Sequence, residues 1–163
     1  MPFLALRPPS PAMTLTVRPF TAADYAPYRR WYDDPVLDAR LGPIDDDWLD
    51  CVLREVDGRQ AVCEEAGTMV AVAGVVLPRD TGGWGAVSDL AVDPARRGMG
   101  IGRRVLRALL ARPELASVTE WRAWAEHDNL GAIGVLRAAG WRHVGIDDGM
   151  VEFRLVRAGA LAS

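Results

Sequence analysis

The sequence predicts an α+β fold in a single domain, and three observations support this. Segments of alternating apolar and polar residues, typical of strands, are interspersed with segments whose apolar residues recur at helical spacing. The strand-like segments first follow one another as in a meander, and later alternate with helices as in strand–helix–strand crossovers. The length of 163 residues, half of them hydrophobic and a quarter charged, suits one globular domain with a sizeable core.

The first half of the chain predicts one strand, two helices and a three-stranded meander. Thr21 is the expected N-cap of the first helix, and Gly58 the expected end of the second. Gly67 marks the turn between the first two strands of the meander. The predicted ranges are a strand at 14–19, helices at 22–31 and 43–58, and strands at 60–65, 69–78 and 85–92.

The second half predicts two helices that alternate with strands. Pro113 closes the helix that follows a glycine-rich loop, and Asn129 is the expected cap of the last helix. The run Asp147-Asp148-Gly149 predicts a hairpin turn near the C-terminus. The predicted ranges are a helix from about 102 to 112, a strand at 117–125, a helix at 129–140, and strands at 141–146 and 150–156.

The ends of the chain and its cysteines limit the classes of protein to which it is expected to belong. Residues 1–12 are expected to form a flexible extension, residues 13–158 a single domain, and residues 159–163 a tail. No apolar run approaches the roughly 20 residues that span a bilayer, and the start of the chain lacks a full signal-peptide core. Cys51 and Cys63 form no CxxC pair and the chain has two histidines, so neither a metal site nor a disulfide framework is expected. These features favour a cytoplasmic protein.

The charge distribution is uneven along the chain. The net charge is −3, and all nineteen basic residues are arginine. Residues 33–57 are rich in carboxylates, whereas residues 96–107 are rich in arginine. A basic surface this local fits duplex nucleic acid poorly and favours a pocket for one anion beside an acidic rim for a cationic partner. We therefore expect neither a nucleic acid nor a membrane as a partner.

The stretch "RRGMGIGRR" predicts an anion-binding loop. Its glycines, Gly98, Gly100 and Gly102, lie between a strand ending at Val92 and a helix, where backbone N–H groups can turn toward a phosphate. The neighbouring arginines would add charge-assisted hydrogen bonds. A tight turn with solvated arginines is the alternative. A dinucleotide-binding loop fits less well, because Arg103 occupies the third glycine position of G-x-G-x-x-G.

Two motifs resemble those of the GNAT superfamily of acetyl-CoA-dependent N-acyltransferases. The first is Leu90-Ala91-Val92-Asp93-Pro94 followed by Arg97-Gly98-Met99-Gly100-Ile101-Gly102. The second is Asn129 and Ala132 followed by Gly140-Trp141. The resemblance covers about residues 14–156. It implies a mixed, mostly antiparallel sheet of six to seven strands with helices on both faces, splayed between the fourth and fifth strands.

The resemblance also implies a cofactor site and a reaction. Acetyl-CoA would be the co-substrate, without a metal, and a primary amine the acceptor. The pantetheine arm would run beside the backbone of Leu90 and Val92, and Asn129 would contact it or simply cap its helix. The coenzyme pyrophosphate would rest on the N–H groups of Arg97, Gly98, Met99, Gly100, Ile101, Gly102 and Arg103. Homodimers are common in the family, so a homodimer is possible.

The sequence offers several candidate catalytic groups. Ser88, Asp89 and Glu126 are the candidate bases, of which we choose Asp89 with Glu126 as the second group. As strand neighbours, Ser88 and Asp89 are expected to face opposite sides, so only one of them can line the cleft. His127 is also near, but a histidine beside a helix cap is usually structural. In many family members a tyrosine acts as the general acid, and it stands at the position that Leu136 occupies here. Its absence keeps open an alternative, a non-catalytic acyl-CoA-binding sensor.

The resemblance implies that the acceptor side lies in the acidic segment that contains the first two predicted helices. Its carboxylates, with Trp31, Tyr32 and Trp48, are suited to a cation. A polyamine, an amino sugar of the aminoglycoside type or a basic peptide N-terminus would fit. The alternative is that residues such as Asp45 only cap a helix.

Overall fold

The computed structural model describes residues 14–55, 58–77 and 83–157, which contain seven strands. They are β1 (Leu15–Pro19), β2 (Gly58–Glu65), β3 (Thr68–Val76), β4 (Trp84–Val92), β5 (Glu120–Glu126), β6 (Arg142–Asp147) and β7 (Met150–Val156). These strands form one sheet in the order β1-β2-β3-β4-β5-β7-β6. Every neighbouring pair is antiparallel except β4 and β5. The predicted mixed, mostly antiparallel sheet is confirmed.

Within these described ranges, five α-helices flank the sheet, with single 3₁₀ turns at Ala22–Asp24, Arg30–Asp33, Pro94–Arg96 and Pro113–Leu115. They are α1 (Tyr25–Arg29), α2 (Pro35–Leu41), α3 (Asp46–Arg54), α4 (Ile101–Leu110) and α5 (Leu130–Ala138). None of the helices in the described part of the chain is both long and apolar enough to cross a bilayer.

The core is divided by the sheet into two clusters. Successive residues of β2 alternate between them: Ala61 and Cys63 pack with α4 and α5, whereas Val62 packs with α1 to α3. This alternation follows from the pleat, which directs neighbouring side chains to opposite faces. We call the clusters the α4–α5 core and the α1–α3 core. Helices therefore lie on both faces, as the sequence predicts.

The sheet opens between β4 and β5. Their parallel pairing covers only Trp84–Ala86 and Glu120–Arg122, and the rest of β4 runs on without β5. On their other sides, β4 stays paired with β3, and β5 stays paired with β7 along its whole length. The predicted splay between the fourth and fifth strands is confirmed.

The helical region differs in part from the sequence prediction. Helix α2 was not predicted: its seven residues are too few for a clear apolar period, although Asp34 and Pro35 are typical N-cap and first-turn residues. Helix α3 ends at Arg54, and Gly58 begins β2, so the expected helix end at Gly58 is wrong. The predicted helix at 22–31 is divided into 3₁₀ and α pieces.

The two predicted hairpin turns are present. Ala66 and Gly67 join β2 to β3 with positive φ at both residues, and Asp148 and Gly149 do the same between β6 and β7. Two successive positive φ angles match the right-handed twist of the flanking strands. The predicted extension at 1–12 and tail at 159–163 lie outside the described residues, so the proposed domain boundaries stay predictions.

Candidate functional site

A cleft of about 390 Å³ occupies the splay between β4 and β5. Helix α2 covers one side of it, and α4 and α5 line the other. Its lining brings together residues from distant parts of the chain: Leu37, Arg40, Asp89, Leu90, Glu126 and Leu136. The cleft therefore contains both predicted catalytic carboxylates and the start of the glycine loop.

The glycine loop needs glycine at Gly98 and Gly100 for backbone conformation. Their φ angles are +77° and +72°, a region that residues with a Cβ rarely adopt. An added Cβ at either position would meet no atom within 4 Å, so space is not the constraint. Gly100 caps α4, and no described residue accepts a hydrogen bond from the N–H groups of Ile101, Gly102 or Arg103. These groups form the positive end of the helix, which suits a phosphate.

Gly102 serves a different purpose from the other two loop glycines. It lies buried in the first turn of α4, and a Cβ there would lie 3.1 Å from Cγ2 of Val135 on α5. The residue thus permits close packing of α4 against α5. Its N–H stays among the free donors of the first turn.

The arginines around the loop differ in their partners. Arg97 donates to both carboxylate oxygens of Asp34, at 2.7 and 3.0 Å, and Arg104 forms an ion pair with buried Glu65. Arg96 contacts Asp93 at 3.3 Å. Arg103 is exposed and has no partner among the described residues. Of these four side chains, Arg103 is thus the cation left for an incoming anion.

The backbone of β4 offers hydrogen-bonding groups to the cleft. The N–H of Asp93 donates to Val70 at 3.0 Å, so alternate residues of this segment face β3. Leu90 and Val92 consequently direct their N–H and C=O groups toward the open side, where β5 does not pair with them. An extended ligand arm would find partners there.

Ser88 and Asp89 lie on the same side of β4, which corrects the expectation that they face opposite sides. In the pairing with β3, Asp89 aligns with Gly74 and Val87 with Val75, so Ser88 is an extra residue. Such a bulge turns two successive side chains to one face. Both line the cleft on the face covered by α1 to α3.

The carboxylate of Asp89 is held by two donors. The Ser88 hydroxyl donates to Oδ1 at 2.8 Å, and the side-chain amide of Gln60 donates to Oδ2 at 2.7 Å. Burial raises the pKa of Asp89, against the lowering effect of these two hydrogen bonds. Gln60 was not among the predicted residues, because nothing in its local sequence indicates that it reaches β4.

Glu126 lies at the end of β5, across the cleft from Asp89. Its carboxylate accepts a hydrogen bond from Arg40 of α2, which also donates to Asp128 at 2.9 Å. The backbone N–H of His127 donates to Gly149, and its ring nitrogen Nδ1 lies 3.3 Å from the same carbonyl. Helix α2 is thus tied to both sides of the splay, through Asp34 to the glycine loop and through Arg40 to the end of β5.

Asn129, the N-cap of α5, and Leu136, within α5, lie beside the cleft. The side chain of Asn129 accepts from the N–H of Ala132 at 3.1 Å, which is the capping role expected of it. Leu136 is buried and lines the cleft. Its apolar side chain therefore stands where a tyrosine would present a hydroxyl group.

The aromatic residues of the acidic segment pack together in the α1–α3 core. Trp31 and Tyr32 contact the ring of Tyr28 edge-on, and Trp48 contacts it at 5.6 Å between centroids. Asp34 and Asp45 cap α2 and α3. Packing in the core and helix capping therefore explain these side chains better than an open cation site does.

A pair of tyrosine hydroxyls was also missed from the sequence. Tyr28 and Tyr32 are joined by a hydrogen bond of 2.6 Å between their hydroxyl oxygens. Burial, with a smaller contribution from the negative charge of Asp89, raises the pKa of Tyr32 to about 12 and raises that of Tyr28 as well. Both hydroxyls hence stay protonated at neutral pH.

A profile of the Acetyltransferase (GNAT) family matches residues 21–141. The chain belongs to this family. The match includes the glycine loop and extends through Asn129 to Trp141. The predicted family and the prediction of an acetyltransferase are confirmed. No curated protein matches the chain.

Solved structures of GNAT-like fold superpose well on this family member. The aminoglycoside acetyltransferase AAC(6')-Ib in complex with coenzyme A is 21% identical with a TM-score of 0.74, over 88% of this chain and 95% of that one. The spermidine N-acetyltransferase from Vibrio cholerae, with CoA and spermine, is 14% identical with a TM-score of 0.73, over 91% and 98%. An acetyltransferase from Thermus thermophilus is 20% identical with a TM-score of 0.76, over 89% and 98%. At these identities the likeness establishes the fold.

Proposed function

We propose that this protein transfers the acetyl group of acetyl-CoA to a primary amine bound in the cleft between β4 and β5. Three features that meet at the splay carry the proposal: free donors at a helix N-terminus, unpaired β4 backbone and the half-buried carboxylate of Asp89. Family membership and the amine acetyltransferases among the structural neighbours support the same function.

The residues present fit the coenzyme. Free N–H groups at Ile101, Gly102 and Arg103 would hold its pyrophosphate, together with those of Arg97 to Gly100 and the uncommitted Arg103 guanidinium. Leu90 and Val92 would bond its extended arm, and Asn129 would contact the arm where α5 begins. The thioester bound there supplies the activated acetyl group.

Asp89 is the proposed base. Its carboxylate lies in the cleft, and burial raises its pKa, which makes the carboxylate a stronger base. Glu126 lines the far side of the cleft, where Arg40 forms ion pairs with both Glu126 and Asp128. The ammonium group of the amine loses one proton to Asp89, and the neutral nitrogen forms a bond to the acetyl carbon. The carbon–sulfur bond then breaks, and the nitrogen gives up its second proton to water as the amide forms.

The released thiolate takes its proton from water in this proposal. Leu136 occupies the position of the family tyrosine and has no proton to give. Positioning of the amine against the thioester then provides most of the rate enhancement.

The acceptor is proposed to be a cationic small molecule or peptide. The proteins of the neighbouring structures act on aminoglycosides and spermidine. Among the described residues, the carboxylates that line the cleft are Asp89 and Glu126, whereas Asp34 and Asp45 cap helices. A narrow acceptor that presents one ammonium group between these two sides fits this arrangement.

The proposal is tested by release of CoA thiol from acetyl-CoA against polyamines, aminoglycosides, amino acids and basic peptides. We expect turnover with one amine class. Gly100→Val should weaken acetyl-CoA binding by about tenfold or more, because a branched side chain is strained at φ +72°. Gly145→Val is the matched control, since Gly145 has space around its Cβ and an ordinary φ.

Three outcomes separate the candidate functions. Turnover that is weakened in the Gly100 variant and not in the control supports the transferase. If acetyl-CoA raises the melting temperature without any turnover, the result favours a non-catalytic sensor. The sensor is the second candidate function because Leu136 occupies the tyrosine position. The absence of both effects contradicts the assignment of the glycine loop.

A further inference from the structure

Three residues form a row across the middle of the sheet. Gln60 of β2 aligns with Gly74 of β3, and Gly74 aligns with Asp89 of β4. Aligned residues share a face of the sheet, here the face covered by α1 to α3. The side chain of Gln60 therefore crosses the whole width of β3 to reach Asp89 at 2.7 Å.

Gly74 makes this contact possible. An added Cβ there would lie 2.4 Å from Asp89 Oδ1, 2.5 Å from Ser88 Oγ and 2.6 Å from Gln60 Oε1. Strands β2 and β4 are separated by about 10 Å across β3, so only a long side chain passing over a bare backbone can join them. The glycine at this point provides space, since its φ is not in the left-handed region.

We propose that Gln60 is a positioning residue, which reaches over Gly74 to hold the Asp89 carboxylate ionised and directed into the cleft. This inference rests on the proposed function, in which Asp89 takes a proton from the acceptor amine. Gln60 itself is not among the residues that line the cleft.

The two donors bind different oxygens of the Asp89 carboxylate. Gln60 serves Oδ2 and Ser88 serves Oδ1, so each oxygen keeps lone pairs for the amine or a bridging water. Hydrogen bonds to the ionised form favour ionisation, whereas burial opposes it. Without Gln60, Asp89 would hold its proton to a higher pH and would be less available as a base.

Other charged and titratable groups face Asp89 from the elements packed around it. The negative charge of Glu55, at the end of α3, opposes ionisation of Asp89. Tyr28 and Tyr32 of the helical layer lie near enough to interact with the charge of Asp89, and Asp38 of α2 interacts with Tyr32. Arg40 from α2, Arg97 from the glycine loop and Glu126 from β5 line the cleft. None of them donates a hydrogen bond to the Asp89 carboxylate in the described structure.

The test is the pH dependence of kcat/KM for Gln60→Met, which keeps the length of the side chain but cannot donate. We expect the acidic limb of the profile to move up by about one pH unit, with about a tenfold loss below the limb and near wild-type activity above it. Titration of the amine is common to both enzymes and cancels. Ser88→Ala should shift the limb in the same direction, because it removes the donor to the other oxygen.

Two further variants keep the inference falsifiable. Gln60→Glu retains the shape of the side chain and should shift the limb at least as far, because a second carboxylate beside Asp89 opposes ionisation. A limb that stays in place in both folded Gln60 variants, or a loss that is equal at every pH, overturns the positioning role. Asp89→Asn separates this result from the proposed function: if that variant keeps full activity, the assigned base is wrong, whatever Gln60 does.

Discussion

The glycine loop that follows β4 and the bulge within β4 lie close together in the chain but are built in different ways. The loop offers backbone: positive φ at Gly98 and Gly100 and free N–H groups at the start of α4. The bulge offers side chains, Ser88 and Asp89, whose direction depends on how β4 pairs with β3. A backbone site is thus encoded in a few consecutive residues, whereas a side-chain site needs distant strands to complete it.

The largest effect is expected from the variant that tests whether the bulge acts in catalysis and the loop in cofactor binding. Asp89→Asn should lower kcat for acetyl transfer by roughly 10²–10⁴-fold, because the base is lost. Binding of acetyl-CoA, measured by calorimetry, should stay close to that of the wild type. Glu126→Gln is the matched carboxylate control and should cost less than about tenfold. Equal losses in the two variants would break the distinction between the two sides of the cleft.

The next effect sharpens the difference between glycine as conformation and glycine as space. A Cβ at Gly85 would lie 2.7 Å from Cζ3 of the fully buried Trp121 ring. Gly85→Ala should therefore lower the free energy of unfolding by about 2–3 kcal/mol in urea titrations. Gly134→Ala, in α5 with open space, should raise it by about 0.5–1 kcal/mol. A neutral Gly85 variant would mean that the ring moves aside without cost.

The smallest effect concerns the ion pair that fastens the first helical turns to β1. Arg18 donates to both oxygens of Asp24 at 2.8 Å, and this lowers the Asp24 pKa to about 2 from an ordinary 3.8. A lowered folded-state pKa stabilises the protein above pH 3.8 and loses that contribution as the pH falls through 2. Asp24→Asn should cost about 1–2 kcal/mol at pH 7, and the difference from wild type should shrink by about pH 2. A difference that is independent of pH would assign the loss to packing.

The backbone part of the site and much of the fold could be predicted from the sequence, because they depend on local requirements. Positive φ at Gly100 and the turn at Asp148-Gly149 are local requirements, so local composition indicates them. Seven strands and the splay followed from periodicity and from the family motifs. Helix α2 escaped prediction because two turns give too few apolar positions.

The side-chain part was predictable only in outline. Asp89 was found as an acid in the right strand, but the side it shares with Ser88 depends on a bulge that period-two alternation does not reveal. Gln60 contacts Asp89 across 29 positions of sequence. Arg40 and Glu126 are 86 positions apart. Only the folded sheet brings such residues together.

The ion pairs that hold the cleft have one further consequence. Arg97 and Arg40, which tie α2 to the two sides of the splay, are guanidinium groups, and the chain contains no lysine. A guanidinium stays protonated at neutral pH and is a poor nucleophile toward a thioester, unlike a lysine amine. An acetyltransferase built in this way presents no side-chain amine to its own acetyl donor. Its ionic framework is chemically inert to self-modification, even when acetyl-CoA is abundant.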